Sequence, residues 1–455
     1  MKTAEIRSEA DFEQLRTGWD QLMRQAERPT IFLTWEWMSA WWSAYGTSGE
    51  LWILTFSDDN DVLRGIAPLR SQRIRKYGQS VPAFSFVGDG SYDSDYLDFI
   101  AAAGYEKQVI EAFCARCAQE VDAGAVLLLN EVPELSPNYA LLKRLAGARG
   151  LSWKETDVPC ATVRLPGDWD AYLRMLQPRF RTKVRSVLRN LESRPEAQFR
   201  FCDAEVQLER ILPALFDLHT RRWAGEGKPG VFGWEAKRDF YFRLSRVLLE
   251  RDWLRLSWLE WNGQVLACQY GFVYGGTYFQ LQEGYEPASE HWNVGVGLRA
   301  WSIRELLKEG LREYDFLGGV GKHKTTWGAE VKHSKRVVMA ASSYKNFLFM
   351  RGPEWETAGR EWARKLVPEK ILAARQARLG TPAAGKGVVQ EPWLRHTAAA
   401  CYFRSGLPGL TRRWRDRYEL SIGENGAWPG VSWKKRQQVS SSGWGMSSPR
   451  SLVLN

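Results

Sequence analysis

Cysteine is scarce in this 455-residue chain, which has six, at positions 114, 117, 160, 202, 268 and 401. Their wide spacing does not indicate a disulfide framework and favours reduced thiols, as in the cytosol. Cys114 and Cys117 form a C-x-x-C inside the helical pattern EAFCARCAQE, but no second pair with zinc spacing follows. We therefore interpret both as thiols packed in a helix rather than as a metal or redox site.

Long apolar runs are missing too. No stretch reaches the roughly 18 apolar residues that a membrane-spanning helix needs. The N-terminal stretch MKTAEIRSEADFEQL has no apolar centre of the kind that a secretory signal requires. We therefore expect no transmembrane segment, no secretory signal and a cytoplasmic location.

Several catalytic signatures are also lacking. The histidines never occur as H-x-x-H or H-E-x-x-H, so we expect no metal site. The absence of a G-x-S-x-G elbow argues against Ser-His-Asp hydrolysis. The absence of G-x-x-x-x-G-K-[ST] argues against a P-loop nucleotidase.

Negative charge is scarce only near the C-terminus. Residues 371–455 contain 13 Lys and Arg against 4 Asp and Glu, whereas residues 1–370 contain 50 against 49. The formal net charge of +10 is therefore a property of the tail, and the nearly neutral body does not predict nucleic-acid binding. From Gly380 onward Gly, Pro, Ser and Arg dominate without a period, which predicts disorder.

What is present is an ordered succession of signals between Trp253 and Trp327. Three antiparallel strands are predicted, because Asn262-Gly263 and Gly275-Gly276 supply the positive φ angles of two-residue hairpin turns. An amphipathic helix, LRAWSIRELLKEG, then ends at Gly310; the apolar strand EYDFLG and the turn GGVGKHKTTWG follow. A glycine-bearing turn between a strand and a helix N-terminus suits a phosphate or pyrophosphate.

This stretch resembles the C-terminal signature of the GNAT-type acyltransferases. The branch it is most similar to is related to cellulose-biosynthesis acetyltransferases and, more distantly, to Fem-type peptidoglycan aminoacyl ligases. The residues that carry the resemblance are Tyr285, Gly295, Gly297, Tyr314, Asp315, Phe316, Gly318, Gly319, Lys324 and Trp327. One position departs from the pattern, since Trp292 stands where the GNAT consensus has Arg or Gln, three residues before the first turn glycine.

The resemblance implies an acyl-CoA donor, acetyl-CoA in the first instance. Backbone amides of the strand Tyr278–Tyr285 would stabilise the oxyanion. The donor pyrophosphate would rest on the amides of Gly295, Val296, Gly297 and Leu298. In the Fem-like relatives a lysine of the final turn is implicated near the transferred group, and Lys324 matches it in position. Trp327 closes the same motif and is a candidate substrate contact.

The residue types suggest roles for three side chains in this stretch. Glu283 is the best candidate for a general base, the alternative being a surface glutamate at a strand edge. Tyr285 is placed to donate a proton to a leaving sulfur or to pack as an aromatic ring. Asp315 lies in an apolar strand, where an unpaired carboxylate is costly, so we expect it to pair with Lys324.

Three earlier patterns leave alternatives open. Arg181 and Arg185 share a helix face after Pro178, which suits an anionic donor or acceptor phosphate, or an ordinary solvated face. The helix after Thr34 is rich in tryptophan, which favours aromatic core packing over a ligand platform. Four aspartates between β-strand patterns suit a divalent cation or acceptor hydroxyls, but the composition favours a solvated loop; they are Asp89, Asp93, Asp95 and Asp98.

The element order predicts an α/β protein of tandem GNAT-like units, each a mixed, mostly antiparallel sheet flanked by helices. Residues 1–155 form an N-terminal unit without its own glycine turn, and residues 156–345 form the C-terminal acyltransferase unit. Residues 346–455 form a basic helical extension and a poorly ordered tail.

The predicted function is cytosolic acyl transfer from acyl-CoA to an amine or hydroxyl. The acceptor is a small molecule or a glycan precursor and, by resemblance, belongs to cell-envelope or exopolysaccharide synthesis. One rival is a Fem-type ligase that uses aminoacyl-tRNA, which the nearly neutral body disfavours. The other is a non-catalytic GNAT-like module that binds a partner or nucleotide through the basic tail, which Trp292 favours.

Overall fold

The computed structural model of the chain describes residues 1–76, 79–225, 230–352, 354–355, 418–421 and 432–435. By its internal contacts the chain divides into one compact unit, Met1–Val389, and a second, Gln390–Asn455. In the described part of the second unit, two four-residue strands pair antiparallel. No helix in the described residues is both long enough and apolar enough to cross a membrane.

Helices flank both faces of one large sheet. The helices are α1 (Glu9–Gln14), α2 (Arg16–Gln25), α3 (Trp35–Tyr45), α4 (Glu106–Asp122), α5 (Pro137–Ala148), α6 (Trp169–Met175), α7 (Pro178–Glu192), α8 (Glu205–Gly225), α9 (Glu235–Glu250), α10 (Val294–Lys308) and α11 (Lys322–Thr325). A further helical segment spans residues 344–352.

The strands of the first unit form a mixed sheet, and β14 and β15 form the hairpin of the second. The strands are β1 (Lys2–Ile6), β2 (Glu50–Ser57), β3 (Leu63–Lys76), β4 (Gln79–Phe86), β5 (Ile100–Ala101), β6 (Val126–Pro133), β7 (Ser152–Arg164), β8 (Ala197–Phe201), β9 (Leu254–Trp261), β10 (Gln264–Tyr274), β11 (Thr277–Tyr285), β12 (Glu313–Gly318), β13 (Glu330–Ala340), β14 (Tyr418–Ser421) and β15 (Ser432–Lys435). The prediction of a mixed α/β fold is confirmed.

The strand order is the same on the two sides of the sheet when each side is followed outward from the central pair, β13 and β7. It runs β1-β2-β3-β4-β6-β13-β7-β12-β11-β10-β9-β8, with β5 paired to β3. In the N-terminal half, β4 and β6 are parallel and joined through α4; in the C-terminal half, β11 and β12 are parallel and joined through α10. The two halves therefore have the same topology.

The last strand of each half is exchanged. β7 follows the N-terminal half along the chain but pairs with β12, whereas β13 follows the C-terminal half and pairs with β6. β7 and β13 also pair with each other along eleven residues, from Ser152↔Ala340 to Thr162↔Glu330. The predicted boundary between residues 155 and 156 falls inside β7. Most of the predicted extension 346–455 lies outside the described residues. Within the segment predicted to be disordered, the described residues form the paired strands β14 and β15.

Local signals agree with the structure at several positions. Asn262 and Gly263 both have positive φ, as do Gly275 and Gly276, so both hairpin turns form as predicted. The side chain of Thr34 caps α3 by accepting a hydrogen bond from the Trp37 amide.

The tryptophans of α3 form part of the central core. Trp37 and Trp41 are at most 1% exposed, and the Trp37 ring packs edge-on against Phe272 of β10, with centroids 5.2 Å apart. Phe32, just before α3, also contacts Phe272. The interpretation of this helix as aromatic core packing is confirmed, and it joins the two halves.

Candidate functional site

The candidate site begins where two parallel strands diverge. β11 and β12 pair at three positions only, Thr277↔Glu313, Tyr278↔Tyr314 and Phe279↔Asp315. Just beyond, Leu281 is an extra residue in β11, because Gln280 pairs with Gly271 while Gln282 pairs with Tyr270. Such a bulge bends a strand and increases its twist. The edge of β11 that faces β12 is thereby freed from the ladder, which gives room for a ligand between the strands.

α10 is the first α-helix after β11, so its N-terminus follows the gap between β11 and β12 closely along the sequence. The first amides of a helix have no acceptor within the helix, and the side chain of Asn293, the residue before α10, does not cap them. Val294 is fully buried, whereas Gly295 and Val296 are partly exposed. The amides of Gly295 and Val296 are therefore left to bind an anion at the positive end of the helix dipole.

The predicted use of Gly297 and Leu298 amides in this site needs correction. The Gly297 amide already donates to the carbonyl oxygen of Asn293, 2.9 Å away, and Leu298 lies fully buried inside α10. A Cβ built at Gly297 would overlap Leu191 Cδ1. Gly297 is thus a packing glycine that allows α7 to approach α10, and the anion-binding set is reduced to the amides of Gly295 and Val296.

An arginine from another segment packs on Trp292, the residue that stands in place of the consensus Arg or Gln. The guanidinium of Arg194, in the connection between α7 and β8, lies 4.4 Å from the ring centre of Trp292, two residues before α10. Trp292 also packs on Trp261, with centroids 5.3 Å apart. Trp292 therefore provides an aromatic surface that holds a positive charge near the α10 N-terminus.

Glu283 of β11 is held by cations from two helices. Its carboxylate pairs with Arg299 of α10 and with Arg222 of α8, the latter at 3.2 Å, and accepts a hydrogen bond from Gln280 Nε2 at 3.0 Å. Burial opposes the charged form, but Arg299, Arg222 and Gln280 outweigh it and lower the pKa of Glu283 to about 2. A carboxylate so stabilised is a weak base, so its surroundings do not support the predicted general-base role.

Trp327 is a support for this cluster rather than an open substrate contact. It is 2% exposed, and its ring lies 5.4 Å from the Arg299 guanidinium and 5.0 Å from the ring of Phe180. Trp327 is also absent from the lining of the cavity described below, so the structure does not support the predicted contact with substrate. Tyr285 is half-buried; the Arg222 guanidinium lies 5.1 Å from its ring, and the same ring borders Gly295.

Asp315 lies at the last paired position before the strands diverge. The Tyr96 hydroxyl donates to its Oδ2 at 2.8 Å, and the Leu317 amide donates to its Oδ1 at 2.7 Å. Burial raises the pKa of Asp315 to about 6, although both hydrogen bonds oppose the rise. The structure thus contains a buried carboxylate whose pKa suits proton transfer near neutral pH.

The expected pairing of Asp315 with Lys324 is wrong. Lys324 Nζ instead donates to the carbonyl oxygens of Phe316 and Gly318, at 2.8 and 2.7 Å, and so holds the end of β12. Burial lowers the pKa of Lys324, and the charges of Asp95 and Asp315 act in the opposite direction. The lysine therefore acts on Asp315 through its field and not through a hydrogen bond.

A cavity of about 690 Å³ opens on the opposite face of the sheet from α10. Thr277, Phe279, Glu313 and Asp315 line it, whereas Tyr278, Tyr314 and Phe316 pack with the α10 residues Ala300 and Ile303. Successive strand residues point to opposite faces. The gap between β11 and β12 therefore lies between two possible binding sites. One is the anion-binding end of α10, and the other is a cavity of small-molecule size on the opposite face of the sheet.

Asp93 and Asp98 of the N-terminal aspartate segment are buried, and Asp89 and Asp95 are half-buried, so the interpretation as a solvated loop is wrong for Asp93 and Asp98. Asp93 is fully buried and pairs with Lys237 of α9 at 2.7 Å. Asp98 is 8% exposed and accepts a hydrogen bond from Ser136 Oγ at 2.5 Å. Among the described residues no group of three or more His, Cys, Asp or Glu is arranged to hold a metal ion.

Arg181 and Arg185 lie on α7, away from the buried side of that helix. Arg185 is exposed and contacts Asp170 at 3.4 Å, and Arg181 is half-buried. The structure does not bring either into the Asp315 cavity, whose lining contains neither.

Comparison with known proteins agrees with this architecture. Residues 178–325 match a family model described as an acetyltransferase (GNAT) domain. Among curated proteins none matches the sequence. The crystal structure of FemX resembles this chain with a TM-score of 0.53 at 12% identity, covering 77% of this chain and 99% of FemX.

Two other solved structures resemble the chain more loosely. One is the C-terminal domain of a putative lysylphosphatidylglycerol synthetase from Agrobacterium fabrum (TM-score 0.44, 11% identity, 75% of this chain and 96% of that one). The other is a tandem GNAT protein from the clavulanic acid biosynthesis pathway (TM-score 0.42, 12% identity, 75% of this chain and 99% of that one). Residues 178–325 are therefore similar to a GNAT acetyltransferase domain, and the fold is similar to that of FemX.

Proposed function

We propose that the chain transfers an acyl group from acyl-CoA, acetyl-CoA in the first instance, to an amine or hydroxyl acceptor. The observation that carries the proposal is the position of Asp315. This buried carboxylate, with a pKa of about 6, lines a cavity on one face of the sheet, while the free amides of α10 begin on the other. The gap between β11 and β12 begins just beyond Asp315. Acyl transfer through this gap would bring the two bound substrates together, as the reaction requires.

The donor would be held from the α10 side. The pyrophosphate would rest on the amides of Gly295 and Val296, and Arg194, packed on the neighbouring Trp292, would offset part of its charge. The acyl group would then reach the freed edge of β11, where a backbone amide stabilises the oxyanion of the tetrahedral intermediate.

The acceptor would approach from the cavity. Asp315 takes the proton of the acceptor amine or hydroxyl as the new bond to the acyl carbon forms. The bond from that carbon to sulfur then breaks, and the thiolate leaves with a proton from Tyr285 or water. Glu283 and Arg299 do not react in this scheme; their ion pair keeps the α10 side of the gap in place.

The donor site is tested by a matched pair of variants at Gly295. A Cβ at this position meets the Tyr285 ring at 3.4 Å, an ordinary van der Waals contact, so both Gly295→Ala and Gly295→Asp should fold. Gly295→Asp sets a carboxylate against the pyrophosphate and should weaken acetyl-CoA binding at least about tenfold, the effect of one unfavourable charge contact. Calorimetric titration should show near wild-type affinity for Gly295→Ala. Equal acetyl-CoA affinities for the two variants would show that the donor pyrophosphate does not bind at the N-terminus of α10.

The cellular role rests on the resemblance in sequence. We extend the proposal to a cytoplasmic enzyme of the cellulose-biosynthesis acetyltransferase branch, acting in cell-envelope or exopolysaccharide synthesis. Thiol release from acetyl-CoA, followed across amine and hydroxyl acceptors, tests acyl transfer without assuming that role. The proximity of Arg194 to Trp292 weakens the case for a non-catalytic module, because it replaces the cation that the sequence pattern lacks.

A second donor class is favoured by one surface. The outer face of α7 carries a run of exposed or half-buried cations, Arg179, Arg181, Lys183, Arg185 and Arg189. An aminoacyl ester of tRNA would use such a face for its phosphates, and its affinity would fall steeply between about 50 and 200 mM salt. Anisotropy titrations with tRNA at both salt concentrations test this second donor class. The same titrations with Arg185→Gln test the surface, because tRNA binding that this substitution does not weaken would exclude α7 as the binding face.

A further inference from the structure

The cavity beside Asp315 has more negative charge than its own cations neutralise. Six carboxylates line it, those of Glu27, Asp98, Glu106, Glu134, Glu313 and Asp315. Its cations are Arg28, Lys332 and, when protonated, His333. A cavity with this balance should attract a cationic ligand.

The cations of the lining are already paired. Lys332 Nζ lies 2.5 Å from Glu313, Arg28 lies 4.0 Å from Glu27, and His333 Nδ1 lies 3.9 Å from Glu134. The three remaining carboxylates, Asp98, Glu106 and Asp315, have no ion-pair partner among the described residues. The surplus charge therefore belongs to these three.

Asp98 and its neighbour Asn138 form a hydrogen-bond acceptor site. Asp98 accepts hydrogen bonds from Ser136 Oγ and the Phe99 amide, and the Asn138 side-chain amide also stabilises its charged form; burial outweighs these neutral donors and raises the pKa of Asp98 to about 6. Asn138 is 5% exposed and donates through Nδ2 to the carbonyl oxygen of Phe99, but its buried Oδ1 has no donor. An unsatisfied buried acceptor beside an unpaired carboxylate is a costly arrangement that an ammonium group would relieve.

Apolar side chains line much of the rest of the cavity. They include Leu33, Phe99, Ile100 and Phe279. The lining therefore offers hydrocarbon contacts together with two separate buried carboxylates, Asp98 in the N-terminal half and Asp315 in the C-terminal half. A hydroxyl-rich sugar would leave this apolar wall poorly matched.

We propose that the acceptor is an aliphatic diamine, bound with one ammonium group at Asp98 and Asn138 and the other amine at Asp315. This inference rests on the proposed function and narrows its acceptor to an amine with a second positive charge. The amine at Asp315 binds in its neutral form after releasing one proton to solvent. It loses a second proton to that carboxylate as the amide bond forms, while the thioester carbon–sulfur bond breaks and CoA leaves as the thiolate. The ammonium at Asp98 keeps its charge and positions the chain.

Calorimetry with cadaverine and 1-aminopentane tests the second cation subsite in the wild-type protein. The two amines have the same carbon chain, so only the second ammonium distinguishes them. We expect cadaverine to bind at least about tenfold more tightly, as one well-placed charge pair provides. Equal affinities would overturn the inference, and so would tighter binding of lysine, whose carboxylate the cavity should reject.

Variants then locate the subsite. Asp98→Asn should bring the ratio of cadaverine to 1-aminopentane affinity close to one, whereas Glu13→Gln, which removes an exposed carboxylate from α1, should leave the ratio unchanged. If Asp98→Asn fails to fold, Glu106→Gln tests the same subsite. We expect it to lower the ratio of cadaverine to 1-aminopentane affinity by a smaller factor. A ratio that neither cavity variant changes would place the second ammonium elsewhere and contradict the proposal.

Thiol release from acetyl-CoA, measured in the same samples, separates this inference from the proposed function. Transfer to amines without any preference for cadaverine would leave the proposed function standing and remove the diamine. Cadaverine binding that depends on Asp98, without thiol release, would confirm the cation subsite but remove both the proposed function and the role of the diamine as acceptor.

Discussion

The Tyr96 hydroxyl donates a hydrogen bond to Asp315 Oδ2, 2.8 Å away, across 219 positions of sequence. Tyr96 belongs to the segment after β4 in the N-terminal half and has a positive φ of 51°. Asp315 belongs to β12 in the C-terminal half. The proposed base is therefore set by both halves, and neither half contains the site alone.

Removing the Asp315 carboxylate should reduce turnover and leave the fold in place. We expect Asp315→Asn to lower kcat/KM about 10²- to 10⁴-fold, the usual contribution of a general base. In the wild type the rate should rise as pH increases through about 6, because only the ionised carboxylate accepts a proton.

Tyr96→Phe removes a hydrogen bond to the ionised form of Asp315, so the rise in rate should move to higher pH in a kcat/KM profile. A profile that Tyr96→Phe does not move would argue that Asp315 is not the titrating group.

Glu283→Gln should act on stability rather than on the chemical step. It leaves Arg299, whose side chain is 8% exposed, without its carboxylate partner, and breaking a buried pair costs about 3 kcal/mol. The native pKa of Glu283 is depressed from 4.5 to about 2, so its contribution is complete above pH 4.5 and is lost as pH falls toward 2. Urea unfolding should therefore show a large difference from wild type at pH 7 and a smaller one at pH 3.

The exposed Glu290→Gln provides the matched charge control for Glu283. It should change unfolding by less than about 0.5 kcal/mol, as surface substitutions do. A hundredfold loss of turnover in Glu283→Gln with unchanged stability would restore the general-base role that the sequence suggests.

Gly297→Ala should destabilise the packing of α7 on α10. The added methyl group overlaps Leu191 Cδ1, and overpacking of this kind costs about 1–3 kcal/mol. In a Leu191→Ala background the same change should cost less, because the overlapping atom is gone. Chemical denaturation of the two single variants and the double variant measures this coupling. Additive effects would show that the two residues do not share a contact.

Lys324→Met should loosen the end of β12. The ammonium donates to the carbonyl oxygens of Phe316 and Gly318, and hydrogen bonds from a charged group contribute about 1.5–3 kcal/mol. Loss of the nearby positive charge should also raise the pKa of Asp315 and shift the pH–rate profile upward. Lys324→Arg keeps the charge, so its profile should stay near that of the wild type. An upward shift of equal size in both variants would assign the effect to geometry instead of charge.

Much of the C-terminal half could be predicted from the sequence, because its signals are local. Asn262-Gly263 and Gly275-Gly276 set two hairpins through their own backbone angles, and Gly310, with φ of 78°, ends α10. Such features depend on a few neighbouring residues and survive whatever packs against them.

The roles of individual side chains depend on distant residues and could not be predicted in the same way. Glu283 loses its basicity to Arg222 and Arg299, which come from two other helices. Arg194 approaches Trp292 only because α7 packs on α10. The aspartates after β4 are buried because a lysine from α9 and a serine before α5 reach them. The spacing of residues along the chain does not indicate which distant residues become these partners.

The exchange of β7 and β13 also sets the order in which a nascent chain can complete its sheet. Strand β6 is synthesised by residue 133, but its antiparallel partner β13 spans residues 330–340. Throughout that interval the ribosome-bound N-terminal half has an unpaired strand edge, which is a template for wrong pairing. The protein therefore depends on late closure, and its yield during synthesis should respond to chaperones that cover exposed strands.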